Sequence, residues 1–285
     1  MKSVRICVAA ITAGVVCIAV MLGILSAAIY AENESGNSFI GLMYHQVLKD
    51  ESRAGKYIIT PNELESDLAY LSENGYVSVL PSQLVKIREQ GGRLPEKTVI
   101  ITFDDGYETG LYYVLPLLKK YGMKAVINVV GSYTDEYSEN GGEGEHLSYS
   151  YLTWNEIKTL SDSGYVEIGN HTYDMHSYNG ERNGCARKEN ESDEQYRTVL
   201  YEDVARLSDK LQQVTGKRPV AFAYPFGSLS EGSAEIIGSA GISVFLTCCE
   251  QPCSMNRNGR IVINRYNRES GRTAQQICEE FKNAF

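Results

Sequence analysis

Three short segments gather the residue types that hydrolytic chemistry needs. Thr102-Phe103-Asp104-Asp105-Gly106 sets two carboxylates at the end of a β-branched run. Adjacent buried carboxylates are costly unless something compensates them, and a divalent cation bound by one aspartate would hold both ionised. An Asp-Asp-Gly surface turn accounts for the same residues equally well. Gly169-Asn170-His171-Thr172-Tyr173-Asp174-Met175-His176 holds two of the chain's four histidines. At this spacing His171 and His176 do not share a helix face, so they must come from a strand end and its loop. Two neutral imidazoles with one carboxylate suit zinc and leave a position open for water. A hydrogen-bonded pair of loop histidines needs no metal. Phe222-Ala223-Tyr224-Pro225-Phe226-Gly227 ends a third run, and its Pro and Gly fix a turn. The backbone N–H groups of that turn, around Tyr224 and Phe226, can hold an oxyanion. A plain strand-to-loop exit has the same composition.

Strands and helices must bring these segments together. A strand at 39–44 ends at His45. Thr60-Pro61-Asn62-Glu63 is a helix start, with Thr as N-cap, Pro in the first turn and Glu placed for a capping box. Leu64, Leu68 and Leu71 follow at helical spacing, Asn74-Gly75 stops the helix, and a strand follows at 76–80. Thr98–Phe103 is the run expected to be buried on both faces, as in a parallel sheet. A helix is expected over 111–121 and a strand over 125–130. Thr153-Trp154-Asn155-Glu156 opens a second capped helix, Ser163-Gly164 ends it, and a strand follows at 165–169. Leu200, Val204, Leu207, Leu211 and Val214 form another helical stripe, closed by Gly216 and Pro219. Strands follow at 220–224, 242–247 and 260–264. The polar stretches 132–148 and 179–197 lack periodicity and are expected to be surface loops. Alternating strands and helices define an α/β domain over 39–285. We expect a distorted (β/α) barrel of about seven parallel strands, with its chemistry at the C-terminal strand ends.

The net charge of −9 argues against nucleic acid as a partner. The 20 tyrosines can stack on sugar faces, although packing accounts for most of them. Lys2 and Arg5 precede an uncharged run over 6–30. As a helix this run reaches about 37 Å, enough to cross a bilayer. The basic residues belong inside, which places everything after residue 31 outside. Ser26 and Ala28 also allow cleavage after Ala28, as in a signal peptide. Segment 1–31, followed by a short stalk at 32–38, therefore exports the domain on either reading. The expected location is the outer face of the cell membrane, or secretion after cleavage. Cys7 and Cys17 lie in that segment. Export permits disulfides among Cys185, Cys248, Cys249, Cys253 and Cys278, and their odd number leaves a thiol unpaired. Cys248, Cys249 and Cys253 cluster without a Cys-x-x-Cys pair, so thiolate zinc is not expected.

Together the three segments resemble the polysaccharide deacetylase family, and the resemblance extends over residues 39–270. Thr-Phe-Asp-Asp-Gly matches its first motif, which implies Asp104 as general base and Asp105 as metal ligand. His171-Thr172 and His176 match the second motif, which implies two histidine ligands. Their spacing within His-Thr-x-Asp-x-His resembles the branch that deacetylates poly-β-1,6-N-acetylglucosamine. The third motif, Arg-x-Pro-Tyr, aligns with Phe222–Gly227, where Ala223 replaces the arginine and Phe226 the tyrosine. The base thereby loses its usual tuning partner, while the Phe226 N–H remains available to the oxyanion. No histidine follows His176, so the family's usual C-terminal catalytic histidine is missing. In the biofilm branch that role falls to a histidine near the start of the domain, and Leu42-Met43-Tyr44-His45 fits that position.

The resemblance implies a metal-dependent hydrolase that removes N-acetyl groups from N-acetylglucosamine-containing polysaccharide, β-1,6-linked or peptidoglycan, by a metal-activated water. Zinc is the expected metal, with cobalt, nickel or iron as alternatives. The departing amine needs a proton donor. His45 and His146 are the candidates, and His146 lies in a long polar stretch, which favours His45. Arg265, in Ile263-Asn264-Arg265-Tyr266, is expected to contact substrate, to orient Asp104 or to serve a structural ion pair. A carbohydrate-binding protein without catalysis and an O-acetyl esterase are the alternative functions.

Overall fold

The computed structural model describes residues 38–140, 147–178, 181–256 and 259–283. The expected segment 1–31, nearly all of the stalk, and His146 lie outside these residues. The first half of the chain runs β1 (Ser38–Tyr44), β2 (Gln46–Val47), β3 (Ile58–Ile59), α1 (Pro61–Glu73), β4 (Val77–Ser78), α2 (Pro81–Glu89) and β5 (Thr98–Phe103). A π-helical turn at Gly110–Val114 leads into α3 (Leu115–Tyr121), followed by β6 (Ala125–Val129) and α4 (Gly131–Asn140). Next come α5 (Trp154–Asp162), β7 (Val166–Asn170), α6 (Asp193–Thr215), β8 (Ala221–Ala223), α7 (Ser233–Ser239) and β9 (Val244–Leu246). The chain finishes with β10 (Cys253–Ser254), β11 (Ile261–Ile263), β12 (Tyr266–Asn267) and α8 (Ala274–Asn283).

The main sheet has the order β10-β1-β5-β6-β7-β8-β9-β11. Its pairings are parallel except at β10, which lies antiparallel to β1. β12 also pairs with β1, in parallel. The segment 261–267 therefore bonds β9 at its start and β1 at its end, and draws the sheet into a nearly closed barrel. This is the expected (β/α) architecture. β5 is buried at every position, as its β-branched run requires. α1 carries the complete Thr60–Glu63 capping box and buries Leu64, Leu68 and Leu71. α5 carries the same box at Thr153 and Glu156. These helix stripes meet Val99, Ile101 and Phe103 in one core cluster.

The polar stretches are more ordered than composition suggests. Residues 131–140 form α4, whose buried positions are the small residues Gly131 and Thr134, so no aliphatic stripe marks it. α6 begins at Asp193, capped by Ser192, where only Tyr196 is buried before Leu200. α2 buries just Pro81 and Leu84, too little to show a period. The five cysteines among the described residues are all free thiols. No described helix is long and apolar enough to cross a membrane.

Candidate active site

Strand register brings the chemical segments to one level. Tyr44 pairs with Phe103, so His45 and Asp104 leave their strands side by side, and the Asp104 N–H donates to Tyr44 O at 2.9 Å. Val129 pairs with Asn170, and Asn170 with Phe222, which carries the same level across to His171 and the Tyr224–Phe226 turn. A cavity of about 600 Å³ opens there. His45, Asp104, Asp105, His171, His176, Tyr224 and Phe226 all line it. Of the expected site residues, Arg265 alone stands behind the wall, fully buried.

The backbone is bent to make this site. Asp105, Thr172 and Phe226 have φ of 72°, 74° and 57°, and they are three of the four non-glycine residues with positive φ among those described. Such conformations cost about 1–3 kcal/mol each and persist only where the surroundings enforce them. At Thr172 the enforcement is visible. Its N–H donates to Asn170 Oδ1 at 2.8 Å, and Asn170 Nδ2 is tied to Val204 O and Ser208 Oγ of α6.

Asp105 Oδ1 lies 3.1 Å from His176 Nε2 and 3.5 Å from His171 Nε2. One ligand atom from each of the three residues falls within 4.8 Å of the others. His171 Nδ1 donates to Ala223 O at 2.8 Å, which fixes the tautomer and turns a bare Nε2 lone pair toward Asp105. Tyr133 anchors the second ring. Its hydroxyl donates to His176 O at 2.9 Å and lies 3.4 Å from Nδ1. Two imidazole nitrogens and a carboxylate oxygen converging in this way need a shared proton or a cation among them, and with neutral imidazoles the three present lone pairs to one point. The donor set therefore fits a divalent metal.

Asp104 is held apart from that triad. Arg265 grips it with Nη1 to Oδ1 at 2.7 Å and Nη2 to Oδ2 at 2.8 Å, and Asn128 Nδ2 donates to Oδ1 at 2.7 Å. Burial alone would raise the Asp104 carboxyl, but Arg265, with His171 and His45, outweighs it and holds the group at about 2. The geometry pairs Arg265 with Asp104, as both the orienting and the ion-pair expectations require. The guanidinium beside Asp104 thus comes from beyond β11, and not from position 223, where the sequence has alanine. Direct contact with substrate does not fit a side chain of zero exposure. His45 packs edge-on against Tyr57 with centroids 4.7 Å apart, and its buried Nδ1 has no hydrogen-bond partner among the described residues. Burial lowers its pKa, and the charges of Asp104 and Asp105 oppose that shift. Sequence reading missed Asn128, Tyr57 and Tyr133. Asn128 could have been noticed as the one polar residue in the apolar run of β6.

The family model for polysaccharide deacetylases matches residues 91–245, more than half of the chain. This chain belongs to the polysaccharide deacetylase family. The poly-beta-1,6-N-acetyl-D-glucosamine N-deacetylase of Escherichia coli K12 is 27% identical to it over an alignment of 230 positions that covers 74% of this chain and 34% of that protein. The deacetylase-family chain thus spans about a third of the length of that relative. The solved de-N-acetylase of Aggregatibacter actinomycetemcomitans superposes with a TM-score of 0.73 at 24% identity, covering 85% of this chain and 99% of the other, a likeness of fold. IcaB from Ammonifex degensii superposes with a TM-score of 0.67 at 27% identity, covering 86% and 97% of the two chains.

Proposed function

We propose that this member of the family is a metal-dependent N-deacetylase of poly-β-1,6-N-acetylglucosamine-type polysaccharide. The observation that carries the reading is one cavity holding both the Asp105–His171–His176 triad and a separately clamped carboxylate, Asp104. The similarity to the E. coli deacetylase supports the substrate class.

Asp105, His171 and His176 would hold the metal, with zinc the first expectation and cobalt, nickel or iron compatible with the same donors. A bound divalent ion supplies Lewis acidity and brings the pKa of water toward neutrality. Asp104, ionised and fixed by Arg265, accepts the proton of the attacking water at its carboxylate. The strained turn at Phe226 borders the place where the acetamide oxygen gains charge, and its backbone N–H is the donor assigned to that oxygen. Amide hydrolysis then needs a proton on the departing nitrogen. His45 is the group assigned to give it, because it lines the same cavity as Asp104 and Asp105. The uncharged run at 6–30 supports a location at the outer face of the membrane, where such a polymer is met.

The test is acetate release by the full chain from β-1,6-linked N-acetylglucosamine oligomers, chitin oligomers and peptidoglycan fragments, each with added zinc, cobalt, nickel or iron and with a chelator. Chelator-sensitive release, fastest on the β-1,6 oligomer, is expected. Release from none of the three polymers with any of these metals would overturn the proposal.

A further inference from the structure

The donors to Asp104 are unevenly shared. Oδ1 takes Arg265 Nη1 and Asn128 Nδ2, each at 2.7 Å, whereas Oδ2 takes only Arg265 Nη2 at 2.8 Å. A carboxylate oxygen offers about two acceptor positions, so Oδ1 is filled and Oδ2 keeps one lone pair. Asn128 is wholly buried in β6 among Ala125, Val126, Ile127 and Val129. Its amide has one workable orientation, because a carboxylate oxygen only accepts. That orientation leaves Asn128 Oδ1 buried with no donor among the described residues. An apolar residue of the same size would avoid that cost, so packing alone does not explain an asparagine here.

The neighbouring strand makes room for this amide. Asn128 pairs with Gly169 across β6 and β7. A Cβ at position 169 would stand 2.0 Å from Asn128 Oδ1. Resting on the reading of Asp104 as the base, we propose that Asn128, seated by Gly169, is a positioning residue that occupies Oδ1 and so makes Oδ2 the oxygen that takes the proton from the attacking water. The Arg265 fork meets both oxygens at nearly the same distance and does not distinguish them. The asymmetry comes from Asn128.

Asn128→Leu keeps the number and branching of side-chain heavy atoms and removes the donor. It should lower kcat about 10- to 100-fold, on an N-acetyl oligomer and on an activated acetyl ester alike, with KM and metal content as in the parent. Gly169→Ala displaces the amide and should lower kcat similarly. The same change should add little in an Asn128→Ala background, where the new methyl has room. A crystal structure of Asn128→Leu should show the Asp104 carboxylate turned about its Cβ–Cγ bond or hydrated at Oδ1. An unchanged kcat, or the same further loss from Gly169→Ala in both backgrounds, overturns the proposal. If Asn128→Leu does not fold, Asn128→Ala carries the same kinetic and structural comparison. A parent chain inactive on every substrate would refute the proposed function instead. The carboxylate orientation in the variant would still decide this inference, and an unmoved Asp104 would reject it.

Discussion

Thr60, Thr153 and Ser192 each start a helix from extended backbone, and each exchanges hydrogen bonds with the residue three positions on. Asp105, Thr172 and Phe226, at the ends of β5, β7 and β8, sit in the left-handed region that side chains of their kind disfavour. The helix starts satisfy the backbone and capping preferences, although Glu156 is itself a buried carboxylate, while the strand ends depart from backbone preferences and carry further buried polar groups. Asp104 is a buried charge, and His45 and Asn128 each keep a buried polar atom without a partner among the described residues. Stability is concentrated in the first region and function in the second. Conflict with local rules is the mark of the residues that act.

This contrast can be broken by exchanging its outcomes. The largest effect is expected at His45. His45→Ala should cost roughly 10²–10⁴ in kcat on an N-acetyl oligomer, the range of one general acid. An activated acetyl ester, whose leaving group needs no proton, should be far less affected, and metal content should be unchanged. Equal losses on amide and ester would remove His45 from the mechanism. Arg265 joins the two regions, because it serves the site and also neutralises a buried charge. Arg265→Ala leaves Asp104 buried without its counter-ion and should cost about 3–5 kcal/mol of folding stability in urea titration, beyond any loss of activity. A variant as stable as the parent would show that Asp104 reaches water. The smallest effect belongs to the helix starts. Thr60→Ala should lose about 1 kcal/mol of stability and leave kcat untouched. A changed kcat there would mean that strain at the site is transmitted through α1.

The barrel and the triad were legible because their signals are local. The β5 run, the capping boxes and the Asp-Asp and His-His spacings each fit in a window of a few residues. The clamp on the base was not legible in that way. Arg265 and Asp104 are 161 positions apart, and only the return of segment 261–267 to β1 joins them. Motif alignment finds alanine at 223 where the family's arginine is expected, and Arg265, for which orienting Asp104 is one of the expectations, reaches the carboxylate from between β11 and β12. Asn128 was hidden for the opposite reason. It is one polar residue in a buried strand, and its meaning depends on Gly169 in the next strand. α4 escaped notice because it packs through Gly131 and Thr134 and not through an aliphatic stripe.

The central claim is that two neighbouring carboxylates do different work, Asp105 holding a metal and Asp104 moving a proton. Zinc titration of the metal-stripped parent, Asp104→Asn and Asp105→Ala, followed by acetate release from a β-1,6-linked N-acetylglucosamine oligomer, tests it most directly. The parent should bind one zinc and release acetate. Asp104→Asn should bind zinc with similar affinity and release almost none, and Asp105→Ala should fail to retain the metal. Full zinc occupancy in Asp105→Ala, or substantial acetate release by Asp104→Asn, would contradict the account.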